Sequence, residues 1–213
     1  MVFHNRNEAA DRLAVALAPY KGQNPLILAI PRGAVPMGER LAKALDGELD
    51  VVLVRKLRAP FNPEFALGSI DESGWSYIAD YAESAGGTPA YLAQEKQTQL
   101  DTLKKRRAQY TPLRPPIDPA GRIVIVVDDG LATGATMISA LHGLRAKKPA
   151  KLICAVPVAP PDTLEKIRGY ADEVVCLQAP MFFQAVGQFY ADFPQVDDSE
   201  VIEILRQAGQ AKA

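Results

Sequence analysis

Two adjacent carboxylates, Asp128 and Asp129, are followed within seven residues by two glycines and two threonines, in IVIVVDDGLATGAT at residues 123–136. A loop with so few side chains lets backbone N–H groups close around an anion. A helix starting near Ala135 adds unpaired donors and a partial positive charge at its N-terminus. Thr133 and Thr136 supply hydroxyls, and the two acids accept hydrogen bonds from hydroxyls. A sugar phosphate presents both kinds of group a few ångström apart, which is what such a loop could hold. The blander reading of the acid pair alone is a helix cap. No Gly-Lys-Ser/Thr follows the glycines, so the loop is not a Walker A loop. Its glycine spacing and preceding acids also exclude the dinucleotide fingerprint.

Two more short stretches carry charge at places where strands should end. LILAIPRGAVP reads as a strand, a Pro31-Arg32-Gly33 turn and a helix opening at Pro36; it is either an ordinary turn or a second anion loop with Arg32 as its cation. VVLVRKL sets Arg55 and Lys56 at a strand end, where adjacent cations call for anions. Those anions are either Asp50 or Glu64 on the surface, or a ligand. The following segment, 58–73, has the position of a covering loop, although two prolines stiffen RAPFNPEFALG. Glu64 within it could pair with Arg55 or Arg58, or serve the chemistry.

The elements that position these residues are legible as aliphatic runs. Strands are expected at Leu26–Ile30, Val51–Val54, Ile123–Val127, Leu152–Val156 and Val174–Leu177. Each is continuous rather than alternating, as in a parallel sheet covered on both faces. Helices are expected between them at 36–44, 135–146 and 162–170, the last with Asp162 as N-cap. Strand–helix alternation of this kind is the α/β doubly wound class, with a mostly parallel sheet. A β-hairpin is expected at Ala66–Ile70 and Ser76–Ala79, with a long polar helix from Ala90 to Gln109 behind it. The four prolines of TPLRPPIDPAG then forbid regular structure. This gives one domain over 1–213, a hairpin and long-helix insertion at 66–115, and a C-terminal hood with a terminal helix at 178–213. The N-terminal twenty residues read as an amphipathic helix.

Composition narrows the function. A net charge of −1 gives no bulk reason to expect nucleic acid, and the one basic run, Lys104–Arg107, reads as a solvated helix face. Cys154 and Cys176 sit in apolar strands and read as small buried hydrophobes rather than disulfide or zinc ligands. No run reaches transmembrane length, so no membrane partner is expected, and a reducing cytoplasm is the default. His4 and His142 read as surface histidines and Trp75 as packing. Phe182, Phe183, Tyr190 and Phe193 in the hood could stack on a flat acceptor or simply pack a core.

VIVVDDGLATGAT resembles the ribose-phosphate loop of type I phosphoribosyltransferases. The rest of the chain, through PRGAVP, VRKLRAPFNPE and FQAVGQFYADFPQV, is similar to a less characterised bacterial group of phosphoribosyltransferase-like proteins. The resemblance implies the type I fold and a transfer of the phosphoribosyl group from phosphoribosyl pyrophosphate to a nitrogen acceptor, a nucleobase first among them, with release of pyrophosphate. It gives Asp128 and Asp129 to the ribose hydroxyls as catalytic residues, with Mg2+ held by them directly or through water. It gives Gly130, Leu131, Ala132, Thr133, Gly134, Ala135 and Thr136 to the 5′-phosphate side. Arg32, Gly33, Arg55 and Lys56 fall to the pyrophosphate. In 6-oxopurine enzymes an aspartate stands at the place of Ala132, whereas adenine- and uracil-type relatives have alanine there, so hypoxanthine and guanine are expected to be poor acceptors. A homodimer is a further expectation. A ligand-binding regulator that has lost the reaction, and a phosphohydrolase of a sugar or nucleotide, stay open beside the transferase.

Overall fold

Aliphatic runs of the kind read above become the strands of a parallel sheet. The computed structural model describes residues 2–63 and 65–210. The central elements are β1 (Leu26–Ala29), β2 (Glu48–Val51), β6 (Ile123–Val127), β7 (Lys151–Val158) and β8 (Glu173–Gln178), all paired in parallel in the order β2-β1-β6-β7-β8. Successive side chains feed opposite faces. Ile27, Ala29, Ile125, Val127, Ile153 and Ala155 join one core with α1 (Arg6–Ala16), α2 (Val35–Ala44), α3 (Pro89–Tyr110) and α6 (Asp198–Gln210). Leu26, Leu28, Val124, Val126, Leu152 and Cys154 join the other core with α4 (Ala135–Arg145) and α5 (Pro161–Arg168). Burial on both faces is why these runs do not alternate. β8, at the edge, is only half-buried along its length.

After β1 the chain crosses to β2 on one side, and it later returns as β6 on the other side of β1. The loops leaving β1 and β6 therefore diverge, opening a crevice at the carboxyl ends of the strands where ligands of open α/β sheets bind.

The expected strand Val51–Val54 does not exist as one element. β2 closes the parallel sheet at Val51, and β3 (Val54–Arg58) opens a second, antiparallel sheet with β4 (Ala66–Asp71) and β5 (Ser76–Ile78). DVVLVRKL is one hydrophobic run in sequence, so periodicity alone could not show the step from one sheet to the other. Arg55 and Lys56 thus lie inside a strand of the second sheet, not at the tip of a core strand. The hairpin itself forms where expected, with a third strand added. α5 starts at Pro161, with Asp162 as an acid in its first turn rather than as its cap, because Pro160 precedes the first turn.

The two sheets meet through α4. Ser69 of β4 is fully buried; its hydroxyl donates to the Ala135 carbonyl at 2.6 Å and lies 2.5 Å from the Ser139 hydroxyl. His142 of α4 is not a surface histidine: its ring stacks on Trp75 at 3.6 Å between centroids. In the basic run, Lys104 and Lys105 are exposed, whereas Arg107 turns inward to Glu72 at 2.6 Å. Cys154 is buried as expected, while Cys176 is only partly so.

The N-terminal segment is stitched to the hood. The amide of Phe3 donates to the carbonyl of Phe189 at 2.8 Å. The amides of Ala191 and Asp192 donate to the carbonyls of Phe3 and His4, both at 2.8 Å. Among the described residues no helix is long and apolar enough to cross a membrane.

Candidate active site

β6 delivers Asp128 and Asp129 to the crevice, and the loop after them is fastened from below. The amide of Leu131 donates to the Val158 carbonyl at 2.9 Å, and the Thr163 hydroxyl donates to the Ala132 carbonyl at 2.6 Å. Gly134 sits at φ +77°, and a Cβ there would lie 2.8 Å from Thr163 Cγ2, so this position requires glycine. α4 begins at the next residue, which aims its free N–H groups at the loop. The Ala135 amide is partly engaged by the Thr133 hydroxyl at 3.4 Å.

These residues line a cavity of about 370 Å³. Its described walls are Asp128–Thr136 on the parallel-sheet side, Lys56, Phe65, Ala66 and Tyr81 from the second sheet and its loops, and Val186 from the hood. Phe65 and Tyr81 pack together with ring centroids 5.4 Å apart, and the Tyr81 hydroxyl donates to the Ala66 carbonyl at 2.9 Å. The cavity therefore has an acidic and amide-rich floor, one cation and an aromatic wall.

The acids do not stand in equal surroundings. Burial pushes the Asp128 carboxyl well above its ordinary range, and the neighbouring charge of Asp129 pushes it the same way, with Lys56 opposing weakly. Burial also raises Asp129, but Arg6 opposes it. The Arg6 guanidinium lies against Asp129 Oδ2, with Nε at 3.0 Å and Nη2 at 2.9 Å. Asp129 is fixed from the hood as well, since the Tyr190 hydroxyl donates to its backbone carbonyl at 2.7 Å.

The Pro31-Arg32-Gly33 turn follows β1 beside this pair, and its Pro31–Arg32 peptide bond is cis. Gly33 approaches Asp129 so closely that a Cβ on it would lie 2.3 Å from Oδ2 and 3.2 Å from Arg6 Nη2. Arg32 turns away from the cavity, with Nη1 3.7 Å from Asp198 Oδ1 on α6. Arg55 likewise faces α3, where its Nε donates to Gln99 Oε1 at 2.9 Å. Its charge is disfavoured first by burial and then by Arg106 and Arg58. Lys56 is exposed at the cavity and has no ion pair among the described residues. The structure does not bring Arg55 and Lys56, both expected at the pyrophosphate, to one face, because successive residues of a strand point to opposite faces. Glu64 lies outside the described residues.

The four hood aromatics are absent from the described cavity wall. Phe182 is 91% exposed, and Phe183 packs on Phe189. Tyr190 stacks on Phe193 with centroids 4.7 Å apart, under Arg6. The aromatic wall is instead Phe65 and Tyr81, which sequence reasoning passed over. Arg6 was also missed, because no spacing links residue 6 to residue 129.

A family model described as "Phosphoribosyl transferase domain" matches residues 3–194. Two Mycobacterium tuberculosis proteins bearing the names "Putative phosphoribosyl transferase MT0597" (strain CDC 1551 / Oshkosh) and "Putative phosphoribosyl transferase Rv0571c" (strain H37Rv) are each 41% identical over 210 residues. That match covers 97% of this chain and 47% of theirs, so the chain spans about half the length of these curated relatives. The crystal structure of TT1426 from Thermus thermophilus is 44% identical, with a TM-score of 0.82, covering 98% of this chain and 100% of that one.

Proposed function

The chain belongs to the phosphoribosyltransferase family, and from that premise we propose that it binds phosphoribosyl pyrophosphate with Mg2+ and transfers the phosphoribosyl group to a nitrogen acceptor. The observation that carries this reading is one cavity joining the acid pair, the Gly/Thr loop at the start of α4, Lys56 and the Phe65–Tyr81 wall. In this reading the loop amides and threonine hydroxyls hold the 5′-phosphate, and Asp128 and Asp129 accept from the ribose hydroxyls. Lys56 faces the anionic end of the donor. The aromatic wall offers a flat acceptor a surface to stack on.

The bond broken joins C1′ to pyrophosphate, and the bond formed joins C1′ to the acceptor nitrogen. Between them the ribose carries developing positive charge, which the buried carboxylates stabilise and from which the walls exclude water. Two carboxylates on one side of a cavity suit Mg2+, which takes hard oxygen donors and fills its remaining positions from substrate and water. Among the described residues no cluster of three or more candidate ligands forms a cage built from protein alone. Bound there, the ion would lower the charge on the departing pyrophosphate.

The acceptor is expected to be something other than a 6-oxopurine. Ala132 is exposed on the loop, can neither give nor take a proton, and its carbonyl is already engaged by Thr163. Separate incubations with phosphoribosyl pyrophosphate, Mg2+ and hypoxanthine, guanine, adenine, uracil or orotate test the reading through pyrophosphate release and product mass. Turnover with hypoxanthine or guanine first would remove the acceptor assignment. Binding without product would identify a regulator, and ribose phosphates formed without base would identify a hydrolase. Replacing Asp128 and Asp129 together by asparagine should weaken donor binding by about 2–4 kcal/mol, because both charged acceptors are lost. Unchanged calorimetric affinity in a folded double variant would refute the site.

A further inference from the structure

We infer that Arg6 is the positioning residue of this site, holding Asp129 in the orientation in which it meets the ribose. This rests on the reading of residues 128–136 as a phosphoribosyl site. Each nitrogen of the Arg6 guanidinium has a partner. Its Nε and Nη2 converge on Asp129 Oδ2 at 3.0 and 2.9 Å, Nη1 donates to the Pro194 carbonyl at 2.6 Å, and Cζ lies 3.9 Å from the Phe193 ring centroid. The two side chains are 11% and 15% exposed, so water screens the pair little.

The contacts fall on one carboxylate oxygen. Arg6 pins Oδ2, so Oδ1, on the side of the neighbouring Asp128 carboxyl, is the oxygen that Arg6 leaves to a ligand hydroxyl. The hood holds Arg6 through Phe193 and Pro194, and Tyr190 holds the backbone of Asp129 at 2.7 Å. Gly33 leaves the room the ion pair occupies, since a side chain there would strike Asp129 and crowd Arg6. Arg6 thus ties the chain's first helix, the hood and the turn after β1 to a single ribose-facing oxygen. A plug would behave differently, because removing it would tighten binding.

The test titrates phosphoribosyl pyrophosphate with Mg2+, ribose 5-phosphate and pyrophosphate against the wild type, Arg6→Gln, Arg6→Lys, Asp129→Asn and the Arg6→Gln/Asp129→Asn double variant. Arg6→Gln should weaken both ribose-bearing ligands by at least about tenfold, the scale of one charge-assisted hydrogen bond, and change pyrophosphate by less than about twofold. Arg6→Lys keeps the charge without the fork and should recover part of the loss. It also carries the test if Arg6→Gln does not fold. In the Asp129→Asn background Arg6→Gln should add less than about twofold, because the residue acts through that acid. Wild-type affinity or tighter binding in Arg6→Gln would overturn the inference, as would equal losses for all three ligands or additive effects in the double variant. A wild type that binds none of the ligands would bring down the phosphoribosyl reading, and the inference with it. Normal wild-type binding with an indifferent Arg6 would remove the inference alone.

Discussion

The floor of the cavity stands on β1 and β6, whose side chains are buried on both faces, whereas the wall opposite comes from a three-stranded sheet tied down by polar groups. Glu95 of α3 is only 7% exposed. Its Oε1 accepts from the Arg58 amide at 3.0 Å and from Gln99 Nε2 at 2.8 Å, and Gln99 in turn holds Arg55. The aliphatic floor is held by a force without direction, which tolerates little volume change but gives rigidity. The wall has buried apolar side chains of its own, Leu57, Leu67 and Ile70, and adds to them a few directional bonds, each of which matters because its members are buried. Under the proposed function this division would serve a site that fixes one substrate and admits another. It teaches that the floor and the wall of the cavity can be disturbed separately.

The largest expected effect tests the floor. Ile125→Ala should cost about 2–5 kcal/mol of global stability by chemical denaturation, whereas Phe182→Ala, at the exposed rim of the hood, should stay within about 0.5 kcal/mol. Similar costs would mean that the hood is packed in solution. Next comes the contrast inside β3. Lys56→Ala should weaken phosphoribosyl pyrophosphate by about 1.5–3 kcal/mol, and Arg55→Ala clearly less, because only Lys56 faces the cavity. Equal losses would show that β3 turns both cations to the ligand.

Glu95→Ala should cost about 1–3 kcal/mol by leaving buried donors unpaired. Its signature is faster amide exchange through β3, β4 and β5 with β1 and β6 unchanged. Uniform acceleration would erase the distinction between floor and wall. The smallest effect lies at the rim of the parallel sheet. There Asp172 accepts from the Leu152 amide at 2.7 Å and from Arg145, which holds its carboxyl below the ordinary range. A lowered acid stabilises the fold above its unfolded value of about 4, and that contribution disappears as pH falls through the folded value. Asp172→Asn should therefore lose less than about 1 kcal/mol at pH 7, since the pair is largely solvated, and the deficit should shrink as pH falls below about 4. A deficit that persists in acid would mean that shape rather than charge is at work.

The floor could be read from sequence because its signals are local. Ile123–Val127 is strand by composition, Gly134 must be glycine by backbone geometry, and the acids sit where a strand ends. The wall could not. The step from Val51 to Val54 breaks one aliphatic run between two sheets, and only the second sheet shows that Arg55 and Lys56 diverge. Phe65 and Tyr81 reach the cavity through pairing of β3, β4 and β5, which leaves no mark at residue spacing. The two readings of the hood aromatics could not be separated for the same reason: Tyr190 and Phe193 pack on Phe3 and Arg6, which lie far away in sequence. Composition and charge bound only the broad class.

The stitching of residues 3 and 4 to residues 189–192 also bears on how the molecule is made. Arg6 contacts partners 123 and 188 positions away, among the most distant pairings in the chain. Such contacts follow the local ones, because the chain must lose loop entropy before they contribute. During synthesis from the N-terminus, β1, β2 and β6 can assemble while the segment that anchors Arg6 is still inside the ribosome. The acid pair is then present on the nascent sheet without its completed counter-ion. Closure of residues 3–4 onto residues 189–192 then completes the Arg6–Asp129 arrangement of the folded chain.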